Sequence, residues 1–421
     1  MNIWILNHYA TNMFFENAGR HQSLSRFLVE KGHEVTIFCA NTIHGKEEIV
    51  DVLEGNFIYK EGPAGVNYVF VKSTRYKGNG KDRIKNMYWY YKHIFNVVKE
   101  FKQDNKCPDV IVASSVHPLA LVAGIKLGKK YNVPCVCEIR DLWPESLIAF
   151  NVIREKSILA KILYMGEHWI YKKANRLIFT MPGGEKYIKD RHWENKIDLN
   201  KVDHVNNGVD LKKFNEDKEL FKINDCDLED KDNFKIIYAG SIRTANRIDQ
   251  LVYLAEFLQR NNVRNIKIII YGDGDQRKKL EKDCISLRLD NIVFKGRVDK
   301  KYIPYILSTG DLNIAVDESN SLGQYGISWN KIFDYMASGK PVLVNYDLGD
   351  YNLISDFNFG IAKEFKSIDE FGEAVISMIN LSAESYKQYS ENAKKAAEVF
   401  DYKNLADKFE IIINKAIKEY S

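Results

Sequence analysis

The 421-residue sequence has only eight prolines, no low-complexity tract and no long apolar run. This composition excludes a chain dominated by disorder. Its longest apolar runs, such as the one in Lys267–Tyr271, have the length of a strand and fall far short of the ~20 residues that span a bilayer. Residues 1–7 lack a basic leader and a small-residue cleavage site, so we expect a first strand there and a cytoplasmic protein.

The sequence also contains few cysteines and has a small net charge. The six cysteines include no Cys-x-x-Cys pair, which predicts reduced, mostly buried thiols and not a disulfide or zinc framework. A net charge of +4 is too small to indicate nucleic acid as a partner. The chain is longer than the ~250 to 300 residues of a single core, which predicts two domains.

Short apolar runs alternate with longer helical patterns along the whole chain. This alternation is typical of parallel sheets with crossover helices, so it predicts an α/β fold of two doubly wound, Rossmann-like units. The stretch Asn215 to Asn233, rich in acids and asparagine, interrupts the pattern and is the expected seam. Parallel sheets bind ligands beyond the carboxyl ends of their strands, so we expect the site in a cleft between two such edges.

The segment Gly326–Leu343 is the most informative one. A glycine-containing loop runs into a short helix with Ser328 or Asn330 near its cap, so free amides and the positive helix end would face an anion such as phosphate. Asp334 falls one turn inside that helix, where a carboxylate can accept hydrogen bonds from ribose hydroxyls. Taken alone, the segment is equally consistent with an ordinary capped helix before a strand.

Six pieces of the chain, in register, resemble the retaining glycosyltransferases of family four, which have the GT-B architecture. They are Gly32–Thr36, Asn207–Asp210 followed by Phe214, Ala239–Arg243, Tyr271–Gly274, Phe294–Val298 and Asn330–Leu343. The resemblance covers nearly the whole chain. Within the family, Arg140–Ser146 and Asn330–Tyr335 are similar to the branch that builds bacterial O-antigen and capsule repeats from sugars of the N-acetylfucosamine type.

The resemblance implies a retaining, metal-independent hexosyltransferase. Such an enzyme moves a sugar, here an N-acetylated amino sugar, from a UDP-linked donor to a lipid-linked saccharide acceptor in bacterial surface polysaccharide synthesis. No cofactor is expected. The expected partners are the nucleotide-sugar donor and the lipid-linked acceptor, and the protein is expected to bind reversibly to the inner face of the plasma membrane. We assign 1–206 to the acceptor-side domain, 207–399 to the donor-binding domain, and 400–421 to a helix that returns to the first domain.

Two other functions stay open at this point. A nucleotide-sugar epimerase shares the two-domain fold and the donor pocket, although the Asn207–Asp210 piece favours transfer. A degenerate, non-catalytic protein that only binds sugar nucleotides is the second alternative. The presence of Arg243, Lys331 and Asp334 argues against such decay.

Carried over residue by residue, the resemblance assigns Arg243 and Lys331 to catalysis. Arg243, with Arg247 where the family usually has lysine, would neutralise the donor pyrophosphate as the sugar bond breaks. Without the resemblance both arginines would be interpreted as solvated loop charges, and the glycines as turn residues. The complete expected donor site comprises Gly19, Gly240, Arg243, Arg247, Gly272, Gly274, Arg297, Val298, Gly326, Ile327, Ser328, Lys331 and Asp334.

The sequence departs from the family pattern at one acid. The family has two glutamates eight positions apart; the second corresponds to Asp334, and the first falls on Gly326. We therefore expect the donor sugar to be contacted by backbone N–H groups of Tyr325–Ser328. Asp317 and Glu318 are the alternative.

Retention without a carboxylate nucleophile fits a front-face displacement, in which the leaving phosphate oxygen takes the acceptor proton. Asp141 or His117 would orient the acceptor or assist; alternatively, Asp141 caps the turn before Pro144 and His117 shapes its loop. Asp273-Gly274-Asp275 looks like a metal-binding D-x-D motif. Because a lysine-rich helix follows it, a turn and helix cap are favoured, and no metal is expected.

Two stretches combine aromatic and basic residues, Arg83–Phe95 and Ile158–Lys173. Such helices can lie in a bilayer interface, or they can be crossover helices packed on the sheet. We expect membrane attachment through Arg83–Phe95, with Trp89, Tyr90 and Phe95 entering the interface.

Overall fold

The computed structural model describes residues 1–43, 48–78, 80–115 and 117–420. The chain divides into two compact units, Met1–Asn206 with Tyr402–Ser421, and Asn207–Asp401. Each unit contains one sheet that is wholly or mainly parallel, with helices in the crossovers, so the prediction of two Rossmann-like α/β domains is confirmed. The polar stretch 215–233 lies inside the second unit and is not the seam. It contains the end of the helix Leu211–Leu220 and the short helix Cys226–Glu229, which Asp225 caps.

The strands are β1 (Asn2–Leu6), β2 (Glu34–Ala40), β3 (Phe57–Glu61), β4 (Asn67–Val71), β5 (Val110–Ser114), β6 (Cys135–Ile139), β7 (Arg176–Phe179), β8 (Val202–His204), β9 (Phe234–Ala239), β10 (Ile266–Tyr271), β11 (Ile292–Gly296), β12 (Leu312–Val316), β13 (Val342–Asn345) and β14 (Gly360–Lys363). The α-helices are α1 (Thr11–Glu16), α2 (Arg20–Glu30), α3 (Lys81–Asp104), α4 (Pro118–Tyr131), α5 (Glu145–Ala149), α6 (Ile158–Lys173), α7 (Gly184–Asp190), α8 (Leu211–Leu220), α9 (Cys226–Glu229), α10 (Asp249–Arg260), α11 (Arg277–Ser286), α12 (Ile303–Thr309), α13 (Asn330–Ser338), α14 (Leu353–Asp356), α15 (Ile368–Ile379), α16 (Ala383–Val399) and α17 (Tyr402–Tyr420).

The sheet of the first unit has the strand order β3-β4-β2-β1-β5-β6-β7-β8. Only β3 runs antiparallel to its neighbour among these described strands. The central strands β1, β5 and β6 are buried along their whole length, as expected for strands covered by helices on both faces. The strand order reverses between β1 and β5, so the loops after these two strands lie where ligands bind in doubly wound folds.

The C-terminal helix α17 packs against α2 of the first unit. Leu405, Phe409 and Ile412 are buried there. Lys31, at the end of α2, forms ion pairs with Asp407 and with Glu410, the latter at 2.6 Å. The chain therefore completes its first unit after the second has been traversed.

The sheet of the second unit is parallel throughout its described strands, in the order β11-β10-β9-β12-β13-β14. Strands β9 and β12 pair only near their amino ends, at Ile236 with Leu312 and Ile237 with Asn313. Further along, the hydroxyl of Tyr335 on α13 donates to the Ile314 carbonyl (3.0 Å) and accepts from the Ala239 amide (3.4 Å). The two strands thus diverge at the switch point, and one side chain satisfies both backbone groups.

Helix α3 does not present the surface that the sequence suggested. Tyr90 is fully buried and donates to the Phe38 carbonyl at 2.8 Å, and Phe95 packs against the core. The expectation that Tyr90 enters a bilayer is wrong, because a crossover helix buries one face on the sheet. Phe95 is half-buried. In the described ranges, no helix has both the length and the apolar character required to cross a membrane.

We expect Tyr335→Phe to destabilise the second unit by about 1 to 3 kcal/mol, since it removes the partner of two buried backbone groups. Urea unfolding followed by circular dichroism measures this. The matched control is Tyr253→Phe, because Tyr253 is half exposed on α10 and should tolerate the change. Equal unfolding midpoints for both variants would show that the stability of the second unit does not depend on the Tyr335 hydroxyl.

Candidate functional site

The amino end of α13 lies at the switch point of the second sheet. Trp329 occupies the N-cap position, and no side chain within the described residues caps the helix. Ser328, expected near the cap, instead accepts a hydrogen bond from the Asn207 amide through its hydroxyl (2.8 Å), and its carbonyl accepts one from the Asn207 side chain (2.7 Å). An uncapped helix end with open amides favours an anion.

Lys331 lies in the first turn of α13 and is half-buried. Its ammonium group lies 3.4 Å from the Tyr238 hydroxyl and about 5 Å from two aromatic rings: 5.0 Å from the Tyr238 centroid and 5.6 Å from the Trp329 centroid. Burial lowers the pKa of Lys331 to about 8, while the Asp317 carboxylate acts in the opposite direction. The site therefore holds a partly desolvated cation without a close counter-ion in the described structure, which is an environment that favours an anionic ligand.

Asp317 follows β12 and connects two of the loops around Lys331. It accepts from the Glu318 amide at 2.8 Å and is hydrogen-bonded by Asn246, which in turn accepts from the Ser241 hydroxyl at 2.9 Å. Burial raises the pKa of Asp317, and the Glu318 amide and Lys331 oppose that rise. The carboxylate therefore positions the loops after β9 and β12, and its oxygens are already hydrogen-bonded within the protein.

The two arginines of the predicted pyrophosphate site differ in their surroundings. Arg243 is exposed, and its side chain forms no hydrogen bond or ion pair with any described residue. Arg247 adopts a left-handed backbone conformation (φ 49°) and forms an ion pair with Asp249 at 3.1 Å. The charge of Arg247 is thus already balanced, whereas that of Arg243 is available to a ligand.

Asp334, one turn inside α13, is half-buried. Burial raises the pKa of its carboxyl group to about 7, and Lys300 acts against that rise. None of the residues that the structure describes donates a hydrogen bond to it. A carboxyl group in such a position is stabilised by donors from outside the protein, which the hydroxyls of a sugar supply.

Gly272 and Gly274 allow two loops to pack at backbone distance. A Cβ atom on Gly272 would lie 1.8 Å from the Gly240 carbonyl oxygen, and one on Gly274 would lie 2.2 Å from the Ile242 carbonyl oxygen. The Ile242 amide donates to the Asp273 carbonyl at 3.0 Å across the same contact. These glycines therefore shape the loops after β9 and β10, whether or not they also touch a ligand.

Two further predicted residues follow β11. Arg297 is exposed, and Val298 is half-buried against the core of the second unit. The bend at Gly296, with φ 82°, separates them from the strand. Of the two, only Arg297 presents a charge to solvent.

Gly326 explains the missing family acid. Its backbone has φ 80° and ψ 172°, a conformation that is essentially restricted to glycine. A glutamate there would be strained before it made any contact. In this chain, the position of the family acid thus has a backbone conformation that favours glycine.

The amides expected to contact the donor sugar are only partly available. The Tyr325 amide donates to the Leu322 carbonyl (3.0 Å) and the Gly326 amide to the Gly323 carbonyl (2.8 Å). In the part of the chain that is described, the Ile327 and Ser328 amides meet no acceptor. Of the four amides expected to contact the donor sugar, only those of Ile327 and Ser328 are therefore available.

Asp273 and Asp275 are both exposed. Asp273 accepts from the Gly274 amide at 2.9 Å, as the predicted turn requires. The predicted helix cap is wrong, because α11 begins after Gln276 and no described side chain caps it. The Asp275 carboxylate instead contacts the side chain of Gln276 at 3.0 Å.

A second acidic group, Asp225-Cys226-Asp227, brings three potential ligand atoms within 4.8 Å of one another. The Lys295 ammonium group pairs with Asp225 at 2.6 Å and with Asp227 at 2.5 Å. The Tyr271 hydroxyl also donates to Asp225 at 2.5 Å. A lysine thus already supplies the positive charge that a metal ion would bring.

Three predicted residues lie in the first unit. Gly19 is the N-cap of α2 with φ 101°, and its carbonyl accepts from the Ser23 amide. Asp141 is exposed immediately after β6. His117 is buried at the N-cap of α4 and shares a hydrogen bond with His8 at 3.1 Å. Burial, reinforced by Arg83, lowers the pKa of His117 to about 3, so this ring is a poor proton acceptor and more suited to shaping its loop.

Sequence reasoning missed a buried ionic group in the first unit. Glu138 on β6 forms an ion pair with Arg20 at 2.7 Å and accepts from the Ser114 hydroxyl at 2.8 Å. The ring of His21, whose pKa burial lowers, lies 3.1 Å from the same carboxylate. Arg20 also donates to the Val205 carbonyl at 2.9 Å. The available signal was the acid inside the otherwise apolar strand Cys135–Ile139.

Two family models match these two units. The model described as Glycosyltransferase Family 4 matches residues 22–213, and the one described as Glycosyl transferases group 1 matches residues 222–396. Together they indicate a GT-B glycosyltransferase of the family-four type.

Individual relatives are more distant. The chain is 26% identical over 154 residues to the poly(glycerol-phosphate) alpha-glucosyltransferase of Bacillus subtilis (strain 168), a match that covers 36% of this chain and 22% of that protein. It is 23% identical over 250 residues to an uncharacterized glycosyltransferase of Methanocaldococcus jannaschii, covering 59% of this chain and 60% of the relative. The chain thus matches less than two thirds of the length of either relative.

Among solved structures, the Anabaena protein HepE in complex with UDP-glucose is similar with a TM-score of 0.64. The similarity covers 99% of this chain and 100% of that one, at 13% sequence identity. At this identity it supports the fold, which agrees with the GT-B architecture that the sequence suggested.

We expect Gly326→Glu, which restores the family acid, to lower both stability and turnover. The strained backbone costs of order 1 to 3 kcal/mol, so thermal unfolding should occur at lower temperature. Gly326→Ala is the control, because it introduces the same strain without a carboxylate. A glutamate variant that is more active than the alanine variant and as stable as wild type would contradict this account of the missing acid.

Proposed function

We propose that the protein is a retaining, metal-independent glycosyltransferase. It transfers an N-acetylated amino sugar from a UDP-linked donor to a lipid-linked saccharide in bacterial surface polysaccharide synthesis. It acts in the cytoplasm, at the inner face of the plasma membrane. Glycosyltransferase function is supported by the two family matches, and the donor, the acceptor and the mechanism are our proposals.

The observation that carries the proposal is the position of Lys331. A half-buried ammonium group, an uncapped helix end and two unpartnered amides, those of Ile327 and Ser328, belong to one segment at the switch point of the second sheet. A diphosphate supplies anionic oxygens that such amides and an ammonium group bind. Asp334, one turn further along the helix, would accept hydrogen bonds from the ribose of the same nucleotide.

The proposed chemistry is a front-face displacement. The bond between the anomeric carbon and the diphosphate oxygen breaks, and the acceptor oxygen bonds to that carbon from the same face. The acceptor proton passes to the leaving phosphate oxygen. Lys331 and Arg243 stabilise the charge that develops on the diphosphate, a role that preorganised cations fill without a metal.

The finer choices rest on different observations. The similar HepE structure contains UDP-glucose, which favours a UDP-linked donor. The B. subtilis relative is named for glucosyl transfer to poly(glycerol-phosphate), which favours an acceptor that contains phosphate. The N-acetylated sugar and the lipid carrier come from the O-antigen resemblance of Arg140–Ser146.

A panel of UDP-, GDP- and dTDP-sugars in a thermal-shift assay tests the proposal. A true donor at a hundredfold excess over its Kd stabilises the protein by about 2.7 kcal/mol. We expect UDP-sugars to act, and turnover to survive excess EDTA. Loss of activity in EDTA that manganese restores would overturn the metal-independent mechanism. Stabilisation by a sugar nucleotide without any turnover would support the degenerate, non-catalytic protein, and stabilisation by none of them would contradict the proposed function. An epimerised sugar nucleotide as the product would show an epimerase.

We expect Arg243→Ala and Lys331→Ala each to reduce turnover about a hundredfold or more, since one such stabiliser is worth ~3 kcal/mol. Arg260→Ala is the matched control, because Arg260 is exposed in the last turn of α10, at the opposite end of that helix from Arg243, and should keep wild-type turnover. Lys331 loses its proton and its charge as pH rises through about 8, so kcat/KM of wild type should fall above that pH. Lys331→Arg should remove this fall. A wild-type profile that is flat from pH 7 to 9.5 would exclude Lys331 from the rate-determining site.

A further inference from the structure

Helix α6 carries an unpartnered apolar stripe on its outer face. Ile158, Ile162, Met165 and Trp169 recur at helical spacing, and with Leu159 they are between 38% and 76% exposed. Including Phe150 and Val152, seven of the nineteen large apolar side chains that are exposed in the described chain fall within residues 150–169. Soluble proteins rarely concentrate exposed apolar surface in this way without a partner.

The opposite face of α6 holds the helix rigidly in the first unit. Tyr164, Ile170 and Tyr171 are buried. Glu167 is also buried and accepts hydrogen bonds from the hydroxyls of Tyr171 and Tyr187, both at 2.7 Å. The stripe therefore cannot turn inward without breaking these hydrogen bonds.

An apolar groove of about 420 Å³ runs beside this stripe, between α4 and α6. Its walls include Leu119, Val122 and Leu163, together with Ile162 and Trp169 of the stripe. The groove also reaches Ser115 and Asp141, which follow β5 and β6 at the carboxyl edge of the sheet. It thus connects the exposed stripe with the edge at which an acceptor hydroxyl would lie.

The charges around the stripe are mainly positive. Lys161, Lys172 and Lys173 are exposed on α6, and Arg154 and Lys156 are exposed just before it. The acids of the same segment are Glu155 and the buried Glu167. Burial raises the pKa of Glu167 to about 8, so this carboxyl group is largely neutral at pH 7. An apolar stripe flanked by lysines matches the interface of an anionic bilayer.

We propose that the α6 face docks on an anionic lipid bilayer and that the groove between α4 and α6 takes the hydrocarbon chain adjoining the acceptor's phosphate. The second part rests on the proposed function. Docking through α6 replaces the attachment through α3, whose aromatic residues are largely committed to the core.

Vesicle flotation tests the docking surface. The stripe variant Ile158→Ser, Ile162→Ser, Met165→Ser should bind vesicles of phosphatidylglycerol and phosphatidylcholine at least tenfold more weakly than wild type. The matched control is Leu220→Ser with Ile285→Ser, which removes two exposed apolar side chains of the second unit. Ile84→Ser with Tyr88→Ser tests α3 in the same way, and both of these pairs should bind as wild type does.

The charged residues are tested separately. Each basic residue near an anionic surface contributes about fivefold to binding, so Lys161→Glu, Lys172→Glu, Lys173→Glu should weaken it by more than about a hundredfold. Vesicles of phosphatidylcholine alone should recover little wild-type protein. Equal flotation of wild type and the stripe variant would overturn the proposal. A wild-type dimer that the stripe variant converts to a monomer would also overturn it, since α6 would then be an interface between copies.

Gly166→Trp tests the groove. Gly166 lines the groove, and a Cβ atom there meets open space, so the variant should fill the groove while the helix forms normally. We expect binding of a dansyl-labelled dodecyl phosphate to fall at least tenfold, with Gly80→Trp as the control at another open glycine. Unchanged binding of this probe by Gly166→Trp would show that the hydrocarbon chain does not bind in the groove.

Donor-induced thermal stabilisation separates this inference from the proposed function. The stripe variant and Gly166→Trp should keep it, because every expected donor residue except Gly19 lies in the second unit. Vesicle binding without any response to sugar nucleotides would contradict the proposed function and leave the docking surface intact.

Discussion

The hydroxyl group of Tyr335 is the interaction on which the candidate site depends. Parallel strands at a switch point must separate, and each separation leaves backbone groups without a partner. Here one hydroxyl bonds to both sides of the gap. Because residues four apart share a helix face, the same helix then directs Lys331 toward the Tyr238 ring at the end of β9. Helix α13 thus both satisfies the backbone groups of the separated strands and places the Lys331 ammonium group.

The site holds its charges in positions that oppose folding. Burial drives the pKa of Lys331 down and that of Asp334 up, in each case toward the neutral form. Neither shift is offset by a close ion pair among the described residues. Burial of these charged groups lowers the stability of the free protein. A ligand that supplies an anion for Lys331 and hydrogen-bond donors for Asp334 would offset this loss, as is common at functional sites.

Much of the fold followed from the sequence, because buried parallel strands are continuous apolar runs. The first strand expected within residues 1–7 is β1, and the apolar run in Lys267–Tyr271 forms most of β10. The edge strands β3 and β8 have no long apolar run, because their residues are polar or only half-buried. Motif order located Lys331, Asp334 and Arg243. It could not reveal that Arg247 is paired with Asp249, that Ser328 bonds to Asn207, or that Gly326 has a glycine-only backbone, because these depend on contacts and dihedral angles.

The return of α17 to the first unit has a consequence for the order of events on the ribosome. Lys31 emerges early, but its partners Asp407 and Glu410 are made only after the roughly 200 residues of the second unit. At 5 to 20 residues per second, synthesis of the second unit alone takes on the order of 10 to 40 s. During this time the apolar surface that α17 later covers stays open to water and to other nascent chains. Synthesis of the first unit starts before that of the second, yet the core of the first unit is completed last.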